Sequence, residues 1–126
     1  MASARILFLA AGTAAIGLAA ALPAAAHHGW STYTIDDFTL TGTVKEIRLG
    51  NPHDRLVVEA EGEDWDIWLS PPSRSRAAGF DEDAIKVGDT VVVNGDRRPD
   101  SVEVKTEKLT VNGVDYELYP ERLASR

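Results

Sequence analysis

Six runs rich in β-branched and aromatic residues, punctuated by turn formers, leave only one interval with room for a helix. "TLTGTVKEIRL" (39–49) is the longest, and Gly42 inside it predicts a bend or bulge. "GNPHD" (50–54) is dense in turn residues. "RLVVEA" (55–60) and "WDIWLS" (65–70) follow, separated by a gap of hairpin length. Alternation in the second puts Trp65, Ile67 and Leu69 on one face and Trp68 on the other. One tryptophan is then core and the other partly exposed. "PPSRSRAAGF" (71–80) permits one short helix, opened by proline and closed by Gly79. "DEDAIKVGD" (81–89) is a polar connection with one or two apolar anchors. "TVVVNG" (90–95) predicts a strand ending in Asn-Gly, and "RRPDS" (97–101) a loop. "VEVKTEKLTV" (102–111) and "VDYELYP" (114–120) flank Asn112-Gly113, the strongest short hairpin signal. The closing "ERLASR" (121–126) shows no pattern and predicts a fraying tail.

This order predicts an all-β fold. It is a small OB-fold-like β-barrel of five to six strands, with one short helix between strands 3 and 4. An immunoglobulin-like sandwich competes, but it wants more strands and no mid-chain helix.

The first 26 residues stand apart and predict a secretory signal peptide. Arg5 gives a short positive region, "ILFLAAGTAAIGLAAAL" (6–22) the apolar stretch, and Ala24-Ala25-Ala26 a small-residue cleavage pattern. Export to the periplasm or medium follows, with residues 27–126 as one barrel domain and 27–37 as its N-terminal lead-in. Without an unprocessed leader, no stable membrane insertion is expected. The chain has no cysteine, which excludes a thiolate metal site, cysteine catalysis and stabilising disulfides. Cutting the leader leaves 12 basic against 20 acidic residues, a net charge of −8. Such a surface argues against nucleic acid and anionic membranes as partners.

All three histidines fall in two segments, "AAAHHGWSTY" (24–33) and "NPHDR" (51–55). Cleavage after Ala26 makes His27 and His28 the first two mature residues. An α-amine, deprotonatable amides and imidazoles then lie together in a chelating arrangement. Nitrogen-rich square-planar ligation favours Cu(II), with Ni(II) second. His53 joins only if the two segments meet. A straight strand over 40–49 would hold them about 30 Å apart, whereas a strongly bent one, or a lead-in folded back along it, brings them together. Asp36 and Asp37 are candidates to accept an imidazole N–H. Trp30 either shields such a site or pins the N-terminus to the barrel, and Trp68 offers a face for a ligand or partner.

Other features carry weaker signals. Asp81, Glu82 and Asp83 lack the spaced ligands of a calcium loop and are expected to cap a turn. Arg74, Arg76, Arg97 and Arg98 are candidates for a small anion patch. Ser31 has no orienting carboxylate for a triad, and no nucleophile elbow, P-loop or dinucleotide fingerprint occurs. The protein is therefore not expected to be an enzyme.

"AHHGWSTY", "LTGTVKEIRLGNPH", "IWLSPPSR", "VGDTVVVNG" and "VNGVDYELYPER" together resemble a family of small exported bacterial proteins of unknown function. Members carry a His-His-x-aromatic mature start and a TGTV…NPH segment. The resemblance spans the mature chain and falls on His27, His28, Asn51, Pro52 and His53. Gly29-Trp30 replaces the commoner Ser-Phe and keeps an aromatic there. The resemblance implies export and a small β-barrel, and no activity. Two functions are then expected in competition. One is periplasmic binding of copper through His27, His28 and His53, as a carrier, buffer or delivery partner to an unknown periplasmic protein. The other is a non-metal binding module that holds a partner protein or small ligand at Trp30 and Trp68.

Overall fold

The computed structural model describes residues 29–126, which form one continuous sheet with short helices. The strands are β1 (Ile35–Arg48), β2 (Arg55–Ala60), β3 (Glu63–Trp68), β4 (Thr90–Arg97), β5 (Glu103–Val111) and β6 (Val114–Glu117). Helix α1 (Pro72–Ala77) and a 3-10 turn (Glu82–Ala84) connect β3 to β4, and α2 (Pro120–Leu123) follows β6. The order is β3-β2-β1-β4-β5-β6, and a parallel β3–β5 pair closes the first five strands into a barrel. That is the expected OB-like arrangement, with β6 added outside as a hairpin strand.

Strand alternation builds the core. Leu40 and Val44 of β1, Leu56 and Val58 of β2, Trp65 and Ile67 of β3 and Val91 and Val93 of β4 are all buried. Their polar neighbours face out. Burying each large side chain contributes about 1.5–3 kcal/mol. The two tight hairpins have positive φ at both central residues, Glu61 (52°) with Gly62 (77°) and Asn112 (48°) with Gly113 (85°). That geometry matches the twist of the flanking strands. α1 begins after Pro71 and ends before Gly79 (φ 88°), as its sequence predicts. The Asp81 side chain caps the 3-10 turn by accepting from the Asp83 N–H.

β1 is shared between two neighbours. Its first part pairs with β4 and its second with β2, and Thr43 faces both Thr90 and Glu59. The strand begins at Ile35, earlier than a polar lead-in to residue 37 suggests, because Ile35 pairs with Arg97. The bulge expected at Gly42 lies at Lys45, where the register slips between Val44 and Glu46. Gly42 serves close approach instead: a Cβ there would lie 2.3 Å from the Glu59 carbonyl oxygen.

Two further expectations fail. Asn94-Gly95 does not end β4, which runs on to Arg97 because β1 and β5 flank it on both sides. The C-terminus does not fray among its charges. Glu107 is the extra residue of a β5 bulge, skipped between the Gly95–Thr106 and Asn94–Lys108 pairs. Its carbonyl accepts the N–H groups of Leu118 and Tyr119 at 2.8 and 3.1 Å. Its carboxylate, 1% exposed, meets Arg122 and Arg126, and so does that of Asp96. Periodicity does not register such partners, because they are isolated charges meeting across long sequence separations.

Candidate functional site

Both ends of β1 come round to the start of β5. Ile35 pairs with Arg97, and Arg97 with Val104. Arg48 pairs with Arg55, Arg55 with Trp68, and Trp68 with Lys105. Val104 and Lys105 are adjacent, so the lead-in ahead of β1 and the loop after it meet there. The coiling of β1 removes the separation a straight strand imposes.

The meeting point is a cleft of about 310 Å³, lined by Thr32 and Tyr33 from the lead-in, His53 from the β1–β2 loop, Trp68 from β3, Arg98 just past β4, and Glu103 and Lys105 at the start of β5. The neighbouring Asp54 ties the His53 loop down. The buried Asp54 accepts the Gly50 N–H on its carboxylate at 2.8 Å, donates its own N–H to Ser70 and accepts that of Leu69. The preceding Asn51–Pro52 bond is cis. His53 Nδ1 lies 3.3 Å from the Leu69 carbonyl, which can only accept, so Nδ1 carries the proton. In the neutral ring the lone pair is then on Nε2.

Trp68 forms the cleft wall beside it. The His53 and Trp68 rings meet edge to face at 6.0 Å. The Arg55 guanidinium lies 4.1 Å from the Trp68 ring centroid and is held there by Asp66 through bonds of 3.2 and 2.6 Å. Trp68 Nε1 is buried and has no hydrogen-bond partner among the described residues. Trp65, three positions earlier, is core, stacked on Phe38. The two tryptophans divide as the alternation predicts.

Across the cleft, the Tyr33 hydroxyl donates to Glu103 in a short hydrogen bond. Burial and that carboxylate raise the Tyr33 pKa well above the usual phenol range. Glu103 also faces Arg98 at 3.6 Å, which offsets that cation. Lys105 is 5% exposed, and its ammonium lies 4.9 Å from the Trp30 ring and 5.9 Å from the Tyr33 ring. Burial, and secondarily Arg122, lower its pKa.

His27 and His28 lie outside the described residues. Trp30 packs edge to face on Tyr119 at 5.1 Å and is not a lining residue of the cleft. Asp36 is exposed, and Asp37 pairs with Arg126. Three of the four candidate anion-patch arginines are engaged with other partners. Arg74 pairs with Glu121 and covers Tyr119, Arg97 lies over Phe38 and Trp65, and Arg98 faces Glu103. Tyr33, Glu103 and Lys105 escape a linear reading, because only the parallel β3–β5 closure brings them to His53.

The family model for DUF6152, a family of unknown function, matches residues 16–106. The chain belongs to DUF6152. The DUF6152 match contains every residue that lines the cleft, from Thr32 to Lys105, together with His27 and His28. It stops one residue short of Glu107, so α2 and the terminal arginines lie beyond it. No curated protein matches the chain.

Proposed function

We propose that this is an exported, periplasmic metal-binding protein, copper first, with His27, His28 and His53 as its ligands and a carrier, buffer or delivery role. The observation that carries the reading is that Thr32 and Tyr33 line the same cleft as His53. His28 is four residues ahead of Thr32. The turn closed by the Tyr33 N–H on the Trp30 carbonyl at 2.9 Å begins two residues after His28, so the histidine pair immediately precedes the segment that lines the cleft. The Leu69 carbonyl fixes the His53 tautomer and orients the ring, as outer partners of metal-binding histidines do. Among the described residues no three histidine or carboxylate side chains gather, so the reading depends on the N-terminal pair. No described helix is long and apolar enough to cross a membrane.

Competition titration of Cu(II) against a chelator, on the mature protein, tests this. His27→Ala and His53→Ala are each expected to weaken affinity at least tenfold, about 1.4 kcal/mol. Unchanged affinity in both contradicts the shared site. Histidines must be neutral to ligate, so binding is expected to weaken below about pH 6.

A second reading rests on Trp68 Nε1, which is buried at the cleft-lining residue and has no hydrogen-bond partner among the described residues. It makes the protein a non-metal binding module that offers this N–H to a small ligand or partner protein. Trp68→Ala then abolishes binding, and the histidine variants retain it.

A further inference from the structure

Arg122 sits between two groups that have no other reason to meet. On one side it donates from Nε to Glu107 at 2.9 Å and from a terminal nitrogen to Asp96 at 2.8 Å. Both carboxylates are 1% exposed. Its guanidinium also lies 3.9 Å from the Trp30 ring centroid. Tyr119 packs on the same indole edge to face, and Lys105 approaches it at 4.9 Å. Trp30 in turn accepts the Tyr33 N–H on its carbonyl at 2.9 Å, which closes the turn that leads into the cleft.

A guanidinium is planar. It can be forked onto two carboxylates in its plane and still offer its face to an indole. An ammonium can supply the charge but not both geometries. The two buried carboxylates from neighbouring strands β4 and β5 anchor Arg122 from below, and Arg126 shares that load by donating to both. Arg126 therefore balances much of the buried charge, whereas among these two arginines only Arg122 lies against Trp30.

We propose that Arg122 is a positioning residue. Clamped by Asp96 and Glu107, it holds Trp30 and so directs the N-terminal lead-in along the cleft wall toward His53. The C-terminal helix thereby sets the geometry of a site to which the N-terminal lead-in contributes. The consequence for copper rests on the metal-site reading, while the clamp itself does not.

The test is amide hydrogen exchange on the full mature chain, with Cu(II) affinity read on the same samples. Arg122→Lys keeps the charge and loses the planar fork. Trp30→Leu removes the stacking partner and touches neither carboxylate. In both variants the Tyr33 amide is expected to exchange at least tenfold faster, with the core amides of Val91 and Val93 unchanged. Cu(II) affinity is expected to fall about tenfold. Unchanged Tyr33 exchange in either variant overturns the clamp, and in Trp30→Leu it does so even if Arg122→Lys fails to fold. Faster exchange together with undiminished tight copper binding overturns its role in the site. Faster exchange in a protein whose wild type takes up no copper leaves the clamp supported and defeats the metal reading alone.

Discussion

Removing residues 120–126 is expected to cost at least about 3–5 kcal/mol of stability. The segment looks dispensable in the sequence, being short, polar and terminal. Its arginines nevertheless supply the cationic partners of two carboxylates that are 1% exposed. Stripping the partner from a buried charge leaves that charge desolvated and uncompensated. The loss therefore exceeds anything an exposed pair such as Arg74–Glu121 contributes, where about 0–1 kcal/mol is usual. Small domains are stable by about 5–15 kcal/mol in total. The truncated chain should thus unfold at a far lower urea concentration than the full one. An unmoved midpoint would show that Asp96 and Glu107 find water or other donors, and that the terminal arginines are ornamental. Adding Asp96→Asn and Glu107→Gln to the truncation should restore part of the loss, because it removes the charges that were left bare.

Gly95→Ala is expected to destabilise by about 3 kcal/mol, the upper end of what overpacking costs. A Cβ at this position would lie 2.0 Å from the Lys105 carbonyl oxygen and 2.9 Å from its carbonyl carbon. Both are backbone atoms, so no side chain can swing aside. Relief requires β5 to move from β4 beside the Glu107 bulge. That shift would drag Lys105 and the buried Asp96–Glu107 pair with it. Chemical denaturation reads the loss directly, and a cost below about 1 kcal/mol would show that the strands separate easily there. Since Gly95 precedes Asp96, the substitution should also disturb the C-terminal clamp, and it should combine less than additively with the truncation.

Much of the barrel is legible along the chain because its signals are local. Asn112-Gly113 specifies its hairpin by backbone conformation alone. Pro72 and Gly79 bracket α1, and the two-residue period of "WDIWLS" separates core Trp65 from cleft-facing Trp68. The errors come where a local signal meets a tertiary demand. Asn94-Gly95 resembles a turn, yet the glycine is there because the β5 backbone passes against it. Glu107 interrupts the β5 alternation, and a bulge leaves no periodic trace that would reveal its carboxylate as an anchor. The candidate site is half legible for the same reason. His53 draws notice through its scarcity and its turn. Tyr33, Glu103 and Lys105 join it only through a parallel strand pairing that no short window contains.

The most direct test of the shared metal site is native mass spectrometry of the exported protein before and after one equivalent of Cu(II). The apo mass fixes the mature N-terminus. The expected result is a chain that begins at His27 and forms a tight one-to-one copper adduct, which is lost in His53→Ala. A mature chain that begins elsewhere, or copper uptake that is loose and indifferent to His53, would contradict it.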